Sequence, residues 1–140
     1  MRDRDRLQLA YLAGIIDGEG CISLHRQVSK NGFVSYNPFV KVEMVAQEPI
    51  ILLQAMFGGK VRLRRTRVGC QPVWYWKVRG DGAYQCLVAL CNYLLVKKAQ
   101  ADIVLRVWGI RDKWKHLSLI ERQMQEIAAQ EMCALNKRGI

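Results

Sequence analysis

Glu19 is the carboxylate best placed for chemistry, because of what surrounds it. Residues 12–20 read Leu12-Ala13-Gly14-Ile15-Ile16-Asp17-Gly18-Glu19-Gly20 and close a helical stretch running from Arg4 to Asp17. That stretch is apolar nearly all round, at Leu7, Leu9, Ala10, Leu12, Ala13, Ile15 and Ile16, as expected of a helix packed on more than one side. Gly14-x-x-x-Gly18, with Ala13, strips side chains from one helix face, so a second helix can approach with backbones nearly touching. Glycines at the helix end let the chain turn and put Glu19 just past it, where two such seams would bring two carboxylates together. Like charges that close resist joint ionisation unless a cation lies between them. A hard divalent cation with oxygen ligands suits the position, and Mg²⁺ keeps most of its waters and binds phosphate oxygens as well. Such a site fits phosphodiester hydrolysis, since the metal lowers the pKa of a bound water and stabilises charge on the phosphate. Asp17 is expected instead to hold the helix end through local hydrogen bonds.

Charge points to the same class of substrate. The 140 residues carry 22 Lys and Arg against 12 Asp and Glu, a formal net charge of +10, which favours a polyanionic partner such as nucleic acid or an anionic membrane. The excess is local. Residues 59–79 hold seven basic side chains and no acidic one, whereas residues 1–58 hold six of each. Within that stretch Lys60, Arg62 and Arg64 alternate with Val61 and Leu63, and Tyr75, Lys77 and Arg79 alternate with Trp74, Trp76 and Val78. The period of two predicts a β-hairpin with one cationic face. A two-stranded ribbon fits the DNA major groove, where Arg and Lys bind phosphates or the O6 and N7 edge of guanine.

The remaining elements follow from periodicity and punctuation. Residues 21–28 and 39–45 alternate as strands, separated by a Lys30-Asn31-Gly32 turn and Pro38. Counting from Glu19, one face of the first strand carries Cys21, Ser23, His25, Gln27 and Ser29, the other Ile22, Leu24 and Val28. Lys41 and Glu43 form the polar face of the second strand against Val40, Val42 and Met44. Glu48-Pro49 opens a helix that Gly58-Gly59 closes. Asp81 can cap another with Leu87, Leu90, Leu94 and Leu95 inside. Lys97 to Lys115 gives a third with Ile103, Val107 and Trp108 buried, and Ser118 to Glu121 matches a capping box opening a last helix through Met124, Ile127 and Leu135. The order is α-ββ-α-ββ-α-α-α, an α+β fold, read as one domain over residues 1–140.

No apolar run approaches the ~18 residues of a membrane span, and no cleavable leader opens the chain. The expectation is a soluble intracellular protein, of the cytoplasm or an organelle matrix, with no membrane partner. The five cysteines, an odd number with no C-x-x-C pair and two histidines in the chain, read as reduced thiols, mostly in the core.

Residues 12–20 resemble the LAGLIDADG motif of the homing endonucleases and their maturase relatives. Leu12, Ala13, Gly14, Ile16, Asp17 and Gly20 are identical to it, Ile15 stands for its Leu, and Glu19 for its commonest Asp. The resemblance extends to the element order and the basic hairpin. It implies a four-stranded antiparallel, saddle-shaped sheet laid in the major groove. It also implies a homodimer packed through Leu12, Ala13, Gly14 and Asp17, and Mg²⁺ held by Glu19 with the Gly18 carbonyl. The expected activity is intron homing through cleavage of a long pseudo-palindromic double-stranded DNA site, leaving short 3′ overhangs.

Gln47, expected at the end of the second strand, matches the polar residue that positions the nucleophilic water; a strand-end or helix-capping amide is the other reading. Lys97 aligns, counting back from Ala101, with the lysine near the scissile phosphate, and Lys98 is the alternate. Ser23, His25, Gln27, Ser29, Lys41, Glu43, Lys60, Arg62, Arg64, Tyr75, Lys77 and Arg79 are the expected DNA contacts. Carrying Gln47 back without a gap would turn the apolar side of the second strand to the DNA, so a bulge or slip is expected there. Intron RNA is a further candidate partner. The alternative within the same fold is a non-cleaving protein, a splicing maturase or a DNA-binding regulator.

Overall fold

The structure is a computed structural model that describes residues 2–32, 34–65, 68–108 and 118–137. Helix α1 runs Asp3–Glu19. Its buried residues, Leu9, Leu12, Ala13 and Ile16, recur at the three- and four-residue spacing of one helix face. The opposite face, with Leu7, Ala10, Tyr11, Gly14 and Gly18, is exposed. The expectation of a helix packed on more than one side is therefore met on one side only within this chain.

Gly20 begins strand β1 (Gly20–Val28) directly after α1. A Cβ at Gly20 would lie 2.8 Å from the Ile16 carbonyl oxygen, so the tight helix-to-strand turn that presents Glu19 has no room for a side chain. A turn closed by the Gly32 N–H donating to the Ser29 carbonyl (2.9 Å) leads to β2 (Val34–Met44). This strand starts five residues before the expected one and contains Pro38. The Pro38 carbonyl accepts from Gly80 N–H at 2.9 Å, so the polar edge of Pro38 faces away from β1 and its missing donor removes no β1 ladder bond.

Helix α2 (Gln47–Phe57) tolerates Pro49 in its first turn and ends at Gly58, which has a positive φ of 72°. Strands β3 (Lys60–Arg64) and β4 (Val73–Arg79) form the expected hairpin. The sheet is antiparallel throughout, in the order β1-β2-β4-β3.

Helices α3 (Asp81–Leu90), α4 (Lys98–Trp108) and α5 (Leu119–Asn136) complete the helical layer on one side of the sheet. Gly80, not Asp81, is the N-cap of α3. Asp81 instead accepts from the Trp108 indole N–H at 2.9 Å, tying α3 to α4. The capping box at Ser118 and Glu121 is present. Two apolar assignments differ. Leu95 lies beyond α3 and is exposed, and α5 buries Gln125, Ala128 and Met132 while Ile127 faces solvent. The part of the expected Lys97–Lys115 helix beyond Trp108 lies outside the described residues.

The core sits between the helices and one sheet face, on Ile22, Val40, Val42 and Trp76, all fully buried with Leu12, Ile16, Ile50, Leu53 and Leu87. Trp76 satisfies its indole N–H on the Gly58 carbonyl at 2.8 Å, which pins the end of α2 to β4. Of the five cysteines, all free, Cys86 alone is buried, and burial pushes its thiol up to about 12. The expectation that most of them are core residues is corrected. Among the described residues no helix is long and apolar enough to cross a membrane. Replacing Gly20 by Ala should cost about 1–3 kcal/mol, the usual penalty for overpacking, seen as a lower urea midpoint with an unchanged m-value.

Candidate nucleic-acid interface and catalytic end

Residues directly opposite one another in an antiparallel ladder share a face. The register pairs Cys21 with Lys41, Ser23 with Phe39, His25 with Asn37 and Gln27 with Ser35. It continues through Lys41 with Lys77, Glu43 with Tyr75 and Phe39 with Arg79, then Lys60 with Lys77 and Arg62 with Tyr75. One face of the sheet thus collects Ser23, His25, Gln27, Lys41, Glu43, Lys60, Arg62, Arg64, Tyr75, Lys77 and Arg79, as expected from the alternation. The opposite face carries the core.

Three corrections apply to this surface. Ser29 lies in the turn beyond β1, not on the strand. The β1–β2 register is unbroken from Gly20–Val42 to Val28–Val34, so no bulge interrupts that pairing. The phase conflict at Gln47 has another cause: β2 ends at Met44, Val45 and Ala46 leave the strand, and Gln47 is the first residue of α2. Ser35, Asn37 and Phe39 join the face as well. A second strand expected from residue 39 begins too late to reveal them as a set, although the alternation of Lys41 and Glu43 continues back through all three.

The cationic face is knit together by its own side chains. The Lys77 ammonium lies 4.4 Å from the Phe39 ring centroid, and the Arg64 guanidinium lies 4.3 Å from that of Tyr75. Arg64 also pairs with Glu43 at 3.1 Å, and the Asn37 amide donates to Gln27. A hollow of about 410 Å³ is lined by Lys60, Arg62, Tyr75, Lys77 and Arg79. Burial first, then the neighbouring charges of Arg79 and Lys41, hold the Lys77 pKa below its usual value.

At one end of this face stands the carboxylate. Glu19 is the exposed last residue of α1, and the register that sets Gly20 opposite Val42 brings the end of β2, and so Gln47, to the same end of the sheet. Lys97 comes there through Asp17. The Asp17 carboxylate accepts from the backbone N–H of Leu95 at 2.8 Å and of Lys97 at 2.9 Å, and the Lys97 ammonium donates to the Asp17 carbonyl at 2.6 Å. Lys97 is 6% exposed, whereas Lys98 faces solvent. Asp17 thus bonds not locally, as expected, but to a segment about eighty positions away.

The expected helix seam is also revised. Leu12 and Ala13 are fully buried in the chain's own core and cannot meet a partner, and the Asp17 carboxylate is engaged within the chain. Gly14 and Gly18 are exposed, and a Cβ added at either would meet no atom within 4 Å. They continue the face of Leu7, Ala10 and Tyr11. Among the described residues no three His, Cys, Asp or Glu side chains cluster as a metal site; the hard-oxygen donors at the α1 end are the Glu19 carboxylate and backbone carbonyls. Asp17→Ala removes an ionised acceptor from two N–H donors and should cost about 1.5–3 kcal/mol, measurable by chemical denaturation.

No family model matches the chain. The curated DNA endonuclease I-CvuI of Chlorella vulgaris is 30% identical over 108 residues, which cover 74% of this chain and 65% of that protein, a little under two thirds of its length. The crystal structure of I-CvuI with DNA superposes with a TM-score of 0.76 at 24% identity, covering 96% of this chain and 85% of that one. The archaeal intron-encoded homing endonuclease I-Vdi141I, in complex with DNA, gives 0.71 at 18% identity, covering 93% and 84%. The LAGLIDADG homing endonuclease I-GzeII, also with a DNA target, gives 0.60 at 16% identity, covering 91% and 43%. The motif at the end of α1 and the α+β arrangement around a four-stranded antiparallel sheet agree with these similarities: the chain has the fold of the LAGLIDADG homing endonucleases.

Proposed function

We propose that this protein is a divalent-metal-dependent, site-specific double-strand DNA endonuclease of the homing type, formed by residues 1–140 as one domain and acting as a homodimer. One observation carries the reading. The exposed Glu19 ends the very helix whose Leu7, Ala10, Gly14 and Gly18 face is left bare, and it stands at the end of a cationic sheet face. A second copy laid along that bare face would bring two Glu19 carboxylates together between two such sheets, one per half-site of a pseudo-palindromic target. The relatives support the substrate: I-CvuI is a DNA endonuclease, and its structures were determined with target DNA in the presence of Mg or Ca.

In this reading Glu19 and the Gly18 carbonyl, both hard oxygen donors, hold the metal, and Mg²⁺ is the ion proposed. The chemistry such an ion would supply there is activation of a water and neutralisation of charge on the phosphate. The chain's own residues do the rest. Gln47, at the start of α2, orients the water by hydrogen bonding. The Lys97 ammonium supplies positive charge beside the phosphate as negative charge develops there. Lys41, Lys60, Arg62, Lys77 and Arg79 clamp phosphates and base edges, with Ser23, His25 and Gln27 toward the far end of β1. Intron RNA is a separate candidate partner to which no residue is assigned.

The decisive experiment is cleavage of a pooled palindromic DNA library with Mg²⁺, with EDTA, and with Glu19→Gln. Mg²⁺-dependent cuts at one enriched site, reduced at least ~100-fold in Glu19→Gln while DNA binding persists, are expected. Enrichment by binding with no cut, from folded dimer, would instead establish the maturase or regulator alternative.

Lys77 makes affinity pH-dependent. In the free protein its pKa is lowered by burial and by Arg79 and Lys41, with Cys21 opposing, and a DNA phosphate would raise it again. Binding then takes up a proton between the two values, so affinity falls as pH rises through that window. Titrations by fluorescence anisotropy at fixed salt should show this alkaline loss shrinking in Lys77→Arg, whose guanidinium stays charged.

A further inference from the structure

Glu43 is the one carboxylate among the described residues of the open sheet face. A surface built only to hold phosphates gains nothing from it, because the carboxylate repels phosphate and neutralises a neighbouring arginine. Nor does the Glu43–Arg64 pair serve the fold: its side chains are 41% and 49% exposed, and an ion pair so exposed adds little to stability. Its geometry is nonetheless specific. The ladder sets Tyr75 between Glu43 and Arg62 in one row, and Arg64 belongs to the next. Arg64 therefore crosses a row, lying 4.3 Å above the Tyr75 ring centroid to reach Glu43 at 3.1 Å. Tyr75, 8% exposed, is a fixed floor beneath it. The product is an acceptor carboxylate and a planar donor fork held side by side on the surface, with most of the five guanidinium N–H groups still to be used.

In the major groove a C·G base pair offers the mirror image of this arrangement, with the cytosine N4 amine as donor beside the guanine O6 and N7 acceptors. We propose that Glu43 and Arg64 act together as a specificity determinant that reads one C·G base pair in each half-site. Glu43 accepts from cytosine N4 while Arg64 donates to guanine O6 and N7. The same pair rejects the alternatives. A reversed G·C pair sets the carboxylate against O6 and N7, and a T·A pair sets it against O4; an A·T pair keeps an amine, adenine N6, for Glu43 but adds the N7 acceptor beside it and offers Arg64 a single acceptor, O4, next to a methyl group. The proposal rests on the DNA-endonuclease reading above.

The test is selection from a randomised palindromic duplex library by binding in Ca²⁺, followed by sequencing. The wild-type protein should select C·G at one position and its two-fold mate, with roughly ten- to hundred-fold discrimination. Glu43→Gln should move that position alone to A·T, because an amide pairs with adenine N6 and N7. The exchange Glu43→Arg with Arg64→Glu should invert it to G·C. Thermal melting within a few degrees of wild type is expected for the single variant, given the exposure of both side chains, and certifies the comparison. A Glu43→Gln profile unchanged at every position, or a preference weakened equally at all of them, overturns the proposal while leaving the endonuclease reading intact. No enrichment of any sequence by folded wild-type protein overturns both.

Discussion

Burial of one side of a four-stranded antiparallel sheet is the constraint on which the rest of this molecule depends. Ile22, Val40, Val42 and Trp76 are fully buried against the helices, and a fully buried side chain of this size contributes about 1.5–3 kcal/mol. Since side chains alternate across a strand, that burial leaves every intervening residue on the opposite side. A slip of one residue in any strand would send its cationic side chains into the core and its apolar ones to solvent. Which side chains stand on the cationic face is thus fixed by the core, and the unbroken β1–β2 register is the consequence.

That dependence explains which features are legible in the sequence. Alternation locates the cationic face and most of its residues, and helix periodicity with glycine punctuation locates α1 and α2. The motif at the end of α1 is legible as a string of residue types, but not which of them face inward. A helix that is apolar nearly all round offers two equivalent seams, and only packing against α2, α3 and the sheet buries Leu12 and Ala13 and leaves Gly14 and Gly18 outside. Gln47 is displaced from strand to helix because two residues, Val45 and Ala46, belong to neither element. The Asp17 bonds to Leu95 and Lys97 are not legible at all: they join positions some eighty residues apart, and no local rule reports on them.

Gathering cations on one face has a cost that the structure visibly distributes. Lys77 stands among Lys41 and Arg79, and its lowered pKa is the direct mark of its partial burial and of that crowding. Aromatic rings offset part of it, Phe39 under Lys77 and Tyr75 under Arg64, by offering the negative face of the ring to the cation. Such a surface is less stable than a mixed one in the free protein and gains most when a polyanion arrives, which is the balance expected of a site built for a partner rather than for the fold.

The Glu19 end of the sheet obeys the same logic through the helix dipole. A helix C-terminus carries partial negative charge and favours cations, each worth about 0.3–1 kcal/mol. Helix α1 nonetheless ends on Glu19 and has no basic residue in its last turn. The missing cation comes from elsewhere in the chain: Lys97 places its ammonium on the Asp17 carbonyl. The Asp17 carboxylate in return takes the N–H groups of Leu95 and Lys97, just ahead of α4, where a helix N-terminus favours an anion. Two helix ends of opposite polarity thus satisfy each other through one aspartate and one lysine. Because the exchange uses the Asp17 side chain and carbonyl, it leaves the Glu19 carboxylate exposed and uncommitted, still biased toward a cation by the helix end on which it stands.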